Sequence, residues 1–558
     1  MYDLFLCLRY LRRRYLALIA VLAVALCVAM VLIVVSVMDG FLHKVETAAK
    51  GVFGDIIVDA SSLSGIARYD EFIATLADEV PEIEAATPVI YSYGLLRIGP
   101  TYTEAVQICG VRMPERLAVT DFANGLFIQE GNRQATFDPP IDRVIARTRE
   151  HMALIDRVHQ TELDRPPDRR DNGLLEKLTI AAGNAPRMAR LLERSKVLGD
   201  RVSAARAALS AEEDKPPAQR NAAEIERLAD ALDDARIELD RTVRGPDNRL
   251  ILGVGIAGLS FRTPDGDTIR TVTPGRKIVL TLLPVGRGFL PTTITPNTRT
   301  FTAIDDVKTE VYTIDSKFVY VPFETLQILA DMDARQDMDD PSSVDPARCS
   351  QIQIKVKPAY TSDARLVAVR KKVQAAWGRF TQTHRDAQHS VIIFHTWREK
   401  LQDFIGPIRK QRNLVTIMFG VISSVSVLLI FAIFYMIVVE KTRDIGVVRA
   451  VGGSAAGVAR IFLGFGAATG VVGSVLGLTG GWFFVRYINE IQDALASWSP
   501  SLRVWERAVF MFDRIPNEVD PSVAVVIAVW AIASGLVGAL IPAVRAAVME
   551  PAEAVRYE

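Results

Sequence analysis

Cysteine is scarce in this chain: four residues among 558, at positions 7, 27, 109 and 349. So few exclude a disulfide-dense secreted scaffold and a thiolate-held metal cluster. Histidine is nearly as rare, with six residues scattered at 43, 151, 159, 384, 389 and 395. His384, His389 and His395 form the one grouping, but no cysteine or carboxylate set at ligand spacing joins them, so a surface role outweighs metal binding. The sequence holds no G-x-x-x-x-G-K-S/T stretch, hence no phosphate-cradling loop of its own, and no nucleophile–base constellation. Net charge is missing too, because 65 basic side chains balance 65 acidic ones. That balance removes the overall electrostatic case for nucleic-acid binding.

Charge is also absent from four long apolar runs: residues 15–38, 414–439, 461–485 and 521–544, each of 24 to 26 residues without Asp, Glu, Lys, Arg or His. About 20 apolar residues cross a bilayer core, so all four are read as transmembrane helices. The first has a basic lead-in but is too long for a cleaved signal peptide, and no A-x-A pattern closes it, which predicts an uncleaved signal-anchor. Arg9, Arg12, Arg13 and Arg14 precede it. Positive residues stay inside, so the N-terminal segment 1–14 is expected in the cytoplasm. The loop 440–460 (Lys441, Arg443, Arg449, Arg460) and the loop 486–520 (Arg486, Arg503, Arg507, Arg514) carry equal positive charge, denser in the first. Density puts 440–460 inside and 486–520 outside. The tail 545–558 is then cytoplasmic, and the segment from Asp39 to the second span extracytoplasmic. If that compartment is oxidising, Cys109 and Cys349 are able to bridge. Two small buried hydrophobes is an equal reading.

The outer segment changes character along its length. Residues 39–140 and 350–413 both read as mixed strand and helix: Asp55–Val58, Val89–Ile98, Ala105–Val111, Ile352–Val356 and Val391–Phe394 as strands, Tyr69–Ala77 and Ala364–Trp377 as helices. The spacing predicts that these two parts pair as one discontinuous α+β domain. Residues 245–349 are strand-rich and read as a subdomain, with a Pro-, Gly- and Thr-rich loop or hairpin tip at Leu283–Thr298. Residues 141–244 differ from everything else. They carry 20 acidic and 20 basic residues, and no Phe, Trp or Tyr occurs from Asp138 to Ser260. Met188, Leu191, Ser195, Leu198, Val202, Ala205 and Leu209 follow 3-4 spacing, as do Ile225, Leu228, Leu232, Ala235 and Leu239, which predicts a helical hairpin of antiparallel coiled-coil type. A solvated decoration and a partner-docking arm are both open readings. The expected fold is four transmembrane helices with a large extracytoplasmic α+β domain carrying this insertion.

The segment Glu440–Gly453 follows the second span directly. Val447, Val448 and Val451 fall on one helical face with Arg443, Asp444 and Arg449 around it, and Gly452-Gly453 ends the helix. Such a helix either lies on the membrane or docks a protein. Here the sequence resembles the ABC-transporter permeases of the FtsX-like class, whose pattern is close to E-K-x-R-D/E-I-G-x-x-K/R-A-x-G. Glu440, Lys441, Arg443, Asp444, Ile445, Gly446, Arg449, Ala450 and Gly452 match it. The lipoprotein-releasing permeases (LolC/LolE-type) look nearest within that class. Ser36-Val37-Met38-Asp39-Gly40-Phe41, Val319-Tyr320-Val321-Pro322 with Gln327, and Trp397-Arg398-Glu399 are similar to their phrases. The likeness covers roughly 1–130 and 248–558, and the 141–244 insertion departs from it.

The resemblance implies an inner-membrane permease that is not itself an enzyme. It implies a separate ABC ATPase holding ATP and Mg, docked on 440–453 as a coupling helix, and a second permease in a homo- or heterodimer. The implied action is mechanotransmission: ATP-driven closure releases lipoproteins on the outer side without moving them across the bilayer. A periplasmic carrier would dock on the loop containing Pro284, Pro291 and Pro296. No cofactor, metal or nucleic acid is expected in this chain. An efflux permease of the macrolide-exporter kind and a scaffold that activates a cell-wall hydrolase are the alternatives.

Overall fold

The computed structural model describes residues 15–548 except 62–64, 101, 168–169, 184, 217–218, 244–247, 257, 264–265, 285–294, 337–343, 385–386, 388–390, 441 and 499–513. The chain forms two compact units. Among the described residues, one comprises 15–46, 403–498 and 514–548, the other 47–402.

The first unit is helical. Helices α1 (Tyr15–Phe53), α13 (Gln402–Glu440), α15 (Ala455–Arg486) and α17 (Pro521–Val548) contain the four apolar runs, and all four are long and apolar enough to cross a membrane. All four outrun the apolar stretches, α1 and α13 by more than ten residues. Helix α1 continues past Met38 through Asp39, Lys44, Glu46 and Lys50, because Leu42, Val45, Ala49 and Val52 recur at 3-4-3 spacing and are buried. Helix α13 begins well before Leu414. Side chains on α15 and α17 are small where helices meet. A Cβ on Gly477 would lie 2.5 Å from the Ala25 carbonyl oxygen, and one on Gly470 2.9 Å from Ile532 Cα. Lipid is as apolar as leucine, so close backbone approach replaces the hydrophobic effect as the source of cohesion. Ala20, Val24, Val28, Ile430, Phe434, Phe465 and Ala539 fill the shared core. The outer loop expected at 486–520 holds a further amphipathic helix, α16 (Ile488–Trp498), which the span-based reading missed. Asn489 fastens it by exchanging two hydrogen bonds with the backbone of Ile515, at 3.1 and 2.9 Å.

The second unit is built on nine strands in the order β15-β1-β14-β3-β4-β10-β5-β9-β8. They are β1 (Ile56–Ala60), β3 (Ile83–Ile98), β4 (Tyr102–Val111), β5 (Arg249–Gly253), β8 (Lys277–Leu282), β9 (Asn297–Val307), β10 (Phe318–Pro322), β14 (Gln351–Val356) and β15 (Ile392–Thr396). Short pairs complete the set: β2 (Ile66–Ala67) with β13 (Arg348–Cys349), β6 (Ser260–Arg262) with β7 (Thr268–Arg270), and β11 (Arg335–Gln336) with β12 (Val344–Asp345). The long strand β3 serves two assemblies. Its first half pairs with β14, and its second half pairs with β8, so β3-β4-β10-β5-β9-β8 closes on itself. The closure needs Gly94, where a Cβ would lie 2.4 Å from the Thr281 carbonyl oxygen. Residues 245–349 are therefore no separate subdomain. Their strands complete the same sheet as residues 39–140, through a parallel pairing of β10 with β4 that no local pattern announces. The two flanking parts do pair directly, β1 with β14 and β15. Helices α2 (Tyr69–Glu79) and α11 (Asp363–Thr383) meet through Phe72, Trp377 and Phe380. Short helices α3 (Met113–Val119), α4 (Phe122–Gly125), α9 (Tyr312–Asp315), α10 (Phe323–Leu329) and α12 (Trp397–Lys400) link the strands.

Among the described residues the insertion shows four helices rather than two: α5 (Ile141–Leu163), α6 (Asn172–Ala182), α7 (Ala185–Glu213) and α8 (Ala222–Val243). Pro166-Pro167 and Gly183 make the extra breaks, and Asp171 caps α6 by accepting from the Leu174 N–H at 3.0 Å. Helices α7 and α8 pack on each other. Leu198, Leu239 and Val243 are buried with Ile128 and Val144, whereas Ala205, Leu209, Ile225 and Leu228 further along the seam are only half-buried. Cys109 and Cys349 are both buried and both free thiols, and burial pushes the Cys109 thiol up to about 12.

Candidate functional site

Helix α14 (Thr442–Ala450) follows α13 after Lys441, a position outside the described residues. The Thr442 hydroxyl donates back to the carbonyl of Val439 at 2.8 Å, which fastens the start of α14 to the end of α13. Ile445 is buried against Val438, Val458 and Ala546, one residue from each of α13, α15 and α17. Gly446 beside it is also buried. The other face is open. Arg443 is exposed, and Val447 and Val451, one turn apart, are 50% and 86% exposed. Gly452 ends the helix at φ +104°, a conformation that favours glycine, and Ser454 then caps α15 by accepting from the Gly457 N–H at 3.0 Å. Glu440 is exposed at the end of α13, while the side chains of Asp444, Val448 and Arg449 lie outside what the structure describes. The motif thus divides into an inward anchor, Ile445-Gly446, and an outward apolar pair with a cation.

The second candidate element is the connection between β8 and β9, of which residues 285–294 lie outside the described residues. The register Lys277↔Thr302 to Leu282↔Asn297 brings the chain to Leu283 on one side and away from Pro296 on the other. Thr281 and Thr298 hydroxyls meet at 3.0 Å across the stem, and Asn297 donates to the Leu329 carbonyl at 2.8 Å. Pro284 is half-buried and Pro296 exposed; Pro291 lies outside the described residues. Beside the stem, Tyr93 and Leu95 on β3 are exposed at 71% and 49%.

The other motif residues do structural work. Asp39 accepts from Arg412 at 3.0 Å, and Glu46 pairs with Arg409, so two ion pairs join α1 to α13. Gly40 faces Pro516, whose Cβ would lie 2.7 Å from a Cβ there. Gln327 is buried and donates to the Tyr69 hydroxyl at 3.0 Å and the Arg348 carbonyl at 2.9 Å. Glu399 closes a capping box with Thr396, which starts α12, and Trp397 packs behind it.

Buried titratable groups gather where the insertion meets the sheet. Asp305 accepts backbone N–H bonds from Phe127, Ile128, Gln129 and Asp306 at 2.7 to 3.3 Å. Burial, with Asp306 alongside, pushes its carboxyl up to about 7. His151 on α5 accepts from the Arg270 N–H at 3.1 Å, and burial followed by the Arg270 charge lowers it to about 4. Arg270 in turn holds Asp306 at 3.0 Å. These groups face a small cavity lined also by Phe127, Thr148 and Leu252. Among the described residues no group of three His, Cys, Asp or Glu is placed to hold a metal ion. His384 stacks on Phe380, and His389 lies outside the described residues.

The ends of the chain match two known families. Residues 416–551 match the FtsX-like permease C-terminal family, and residues 17–145 the MacB-like periplasmic core domain. The C-terminal stretch is therefore similar to FtsX-like permeases, and the N-terminal stretch to the periplasmic core domain of MacB-like proteins. More particularly, the chain is 25% identical over 313 residues to the lipoprotein-releasing system transmembrane protein LolC of Neisseria meningitidis serogroup B, across 55% of this chain and 65% of that one. It is 27% identical over 166 residues to LolC of Xylella fastidiosa strain Temecula1, covering 29% of this chain and 39% of the relative. It is 24% identical over 163 residues to LolE of Haemophilus influenzae, with the same coverage of each chain. The matched stretch spans less than two thirds of each relative's length. Helices α6, α7 and α8 lie outside both family matches.

Proposed function

We propose that this chain is the permease subunit of an ABC transporter in a bacterial inner membrane. It works with a separate ATPase and a second permease to release lipoproteins by mechanotransmission. The observation that carries the reading is α14: Ile445 roots it on three apolar helices, while Arg443, Val447 and Val451 face outward. A helix buried on one side and apolar on the other is suited to be pushed by a docked protein and to pass the push on. Both ends of the chain are cytoplasmic in this reading, and residues 39–413 periplasmic. The four apolar runs hold no Asp, Glu, Lys, Arg or His, so they offer no charged route for an ion or hydrophilic solute. Cargo handled on the outer side needs no such route. Releasing acyl chains into water costs about 0.8 kcal/mol per methylene, on the order of 30 kcal/mol for three chains, so a carrier must receive them directly. The β8–β9 connection with Pro284, Pro291 and Pro296 is the proposed carrier contact.

The test is the complex with its ATPase in proteoliposomes. Cysteines placed at Val447 and Val451 are expected to crosslink to the ATPase. Arg443→Ala and Gly446→Leu are expected to cut ATP-driven lipoprotein release at least tenfold. Normal release in both variants, or no capture of an ATPase from either position, refutes the reading. A scaffold that activates a cell-wall hydrolase is the second reading, favoured by the insertion α5–α8. Deleting 141–244 separates the two, since the scaffold reading requires lost hydrolase activation with release intact.

A further inference from the structure

Arg116, on the short helix α3, is 1% exposed, and among the described residues no carboxylate pairs with it. It donates instead to the Val52 carbonyl at 2.8 Å and to the Gln353 side-chain oxygen, and lies 5.7 Å from the Phe122 ring centre. Its Nε is buried without a partner. A guanidinium buried without a counter-charge is costly, and an apolar side chain of similar length fills such a space more cheaply. Packing alone therefore does not account for an arginine here. Its bond partners do. Val52 lies in the last turn of α1, the helix that contains the first span, and its carbonyl is one of the unpaired acceptors of a helix C-terminus. Gln353 lies on β14, the strand next to β1.

The residues between helix and strand make the position of Arg116 mechanically important. Gly54 stands at φ +74°, the one left-handed residue joining α1 to β1, and by itself it is a swivel. Around it the Asp121 N–H donates to the Gly51 carbonyl at 2.9 Å, and Lys50 pairs with Asp55 at 3.0 Å. Asp55 donates to Ile354 and accepts from Trp397 through its backbone, at 2.9 and 3.0 Å, and its carboxylate accepts from the Val356 N–H at 2.9 Å. Trp397 opens the segment leading into α13, and β15 before it pairs with β1, Ile56 opposite Thr396. The two span-bearing helices thus join the sheet at neighbouring strands, and Arg116 bridges the last turn of the first to the strand beyond.

Resting on the permease reading above, we infer that Arg116 is a positioning residue. It locks the Gly54 swivel, so that movement of the first span reaches the sheet instead of being lost at the helix–strand joint. The inference concerns coupling, not assembly, and its test separates the two.

The full complex with its ATPase is reconstituted with a triacylated lipoprotein, and the permease carries Arg116→Met or Arg116→Lys. ATP hydrolysis, lipoprotein released per ATP, and amide hydrogen exchange over residues 50–58 are measured. In Arg116→Met, hydrolysis is expected to stay within twofold. Release per ATP is expected to fall at least tenfold, and exchange at 52–56 to quicken at least tenfold with β4 and β10 unchanged. Arg116→Lys is expected to recover at least half of the release. Unchanged release per ATP overturns the inference, as does hydrolysis falling in step with release, or exchange rising across the whole sheet. If the parent complex releases nothing, the permease reading fails, but exchange still judges the joint: unchanged exchange at 52–56 in Arg116→Met refutes the lock. If Arg116→Met does not assemble, Gln353→Leu removes one acceptor and keeps the arginine. A threefold loss of release per ATP is then expected, and no loss refutes the inference.

Discussion

In the helical unit the helices meet through residues with almost no side chain, whereas the sheet unit also buries polar and charged side chains. Gly466, Gly470, Gly473 and Gly477 bring α15 against α17 and α1 at distances where a Cβ would fall 2.5 to 2.9 Å from its neighbour. In the sheet unit Arg116, Asp305, Asp315 and Gln327 are buried, each hydrogen-bonded to at least one backbone or side-chain partner. The difference follows from the solvent. Water rewards burial of apolar surface whatever its shape, leaving polar groups free to fix direction and register. A bilayer gives no such reward between helices, so shape alone must hold them. A substitution that adds volume should therefore damage the helical unit most, and one that alters charge should register in the sheet unit.

The largest effect is expected at Gly477. Leucine there drives a side chain into the Ala25 carbonyl and the Val28 side chain, both under 3 Å from the first added carbon. Overpacking of this kind costs about 3 kcal/mol or more where backbone cannot yield. Gly480, on the same helix, has nothing within 4 Å of an added Cβ. Gly480→Ala should be neutral, or stabilising by at most about 1 kcal/mol from helix propensity. Thermal unfolding of both variants in the same detergent checks the pair. Equal losses at 477 and 480 would show that helix packing does not set stability here.

A smaller, pH-dependent effect is expected at Asp305. Its carboxyl is raised to about 7 by burial and then by Asp306, so the folded state holds a proton that the unfolded state releases at ordinary carboxyl values. Its contribution is therefore complete at low pH and declines as pH rises from about 4 through about 7. Asp315, raised to about 6 by burial, acts in the same sense. His151, lowered to about 4, acts in the opposite one: what it contributes is complete above its ordinary 6.5 and is lost as pH falls towards 4. Asp305→Asn keeps an oxygen for the Ile128 and Asp306 N–H groups and loses only the 3.3 Å bond from Gln129. It should gain on the order of 1 kcal/mol at pH 8 and nothing at pH 4, flattening the decline. Melting curves at the two pH values measure this, and a loss at pH 8 would show that the charged carboxylate is the stabilising form.

What the sequence could announce divides along the same line. Apolar runs mark the spans because lipid demands them locally, and the 440–453 pattern marks α14, down to the Ile445-Gly446 pair that proves to be its buried side. The helical tails of α1 and α13 were hidden because a reading by charge stops at Asp39, although Leu42, Val45 and Ala49 carry the helical period onward. The start of β3 was hidden by Glu82, Glu84 and Pro88, poor strand formers held there by β14 opposite. The pairing of the two flanking parts was legible, but the inclusion of residues 245–349 in their sheet was not. It depends on β10 lying parallel to β4 and on β3 bending to β8, pairings between distant segments with no local signature. Arg116 was hidden for the same reason: an arginine between Glu115 and Leu117 in a short helix reads as surface, and its partners Val52 and Gln353 are far away in the chain.

The least effect is expected where neither principle operates, on the charged seam of the insertion. Glu238 on α8 meets Arg201 at 3.2 Å and Arg194 at 3.7 Å on α7, and all three are largely exposed. Exposed pairs of this kind contribute about 0.2–1 kcal/mol, offset by the entropy of holding long side chains. The 40 charged residues of 141–244 include many more pairs of the same sort, such as Arg227 with Glu224 and Arg236 with Asp233. Cohesion between α7 and α8 rests instead on Leu198, Leu239 and Val243, which are buried with Ile128 and Val144. Glu238→Ala should therefore shift the stability of the isolated helical signal by less than about 0.5 kcal/mol and weaken further in high salt. Leu239→Ala, one residue away, should cost about 2 kcal/mol or more. Circular dichroism melts of the two variants decide the matter. A larger loss from Glu238→Ala than from Leu239→Ala would mean that α7 and α8 are held by charge, and that the insertion obeys a third rule, belonging to neither unit.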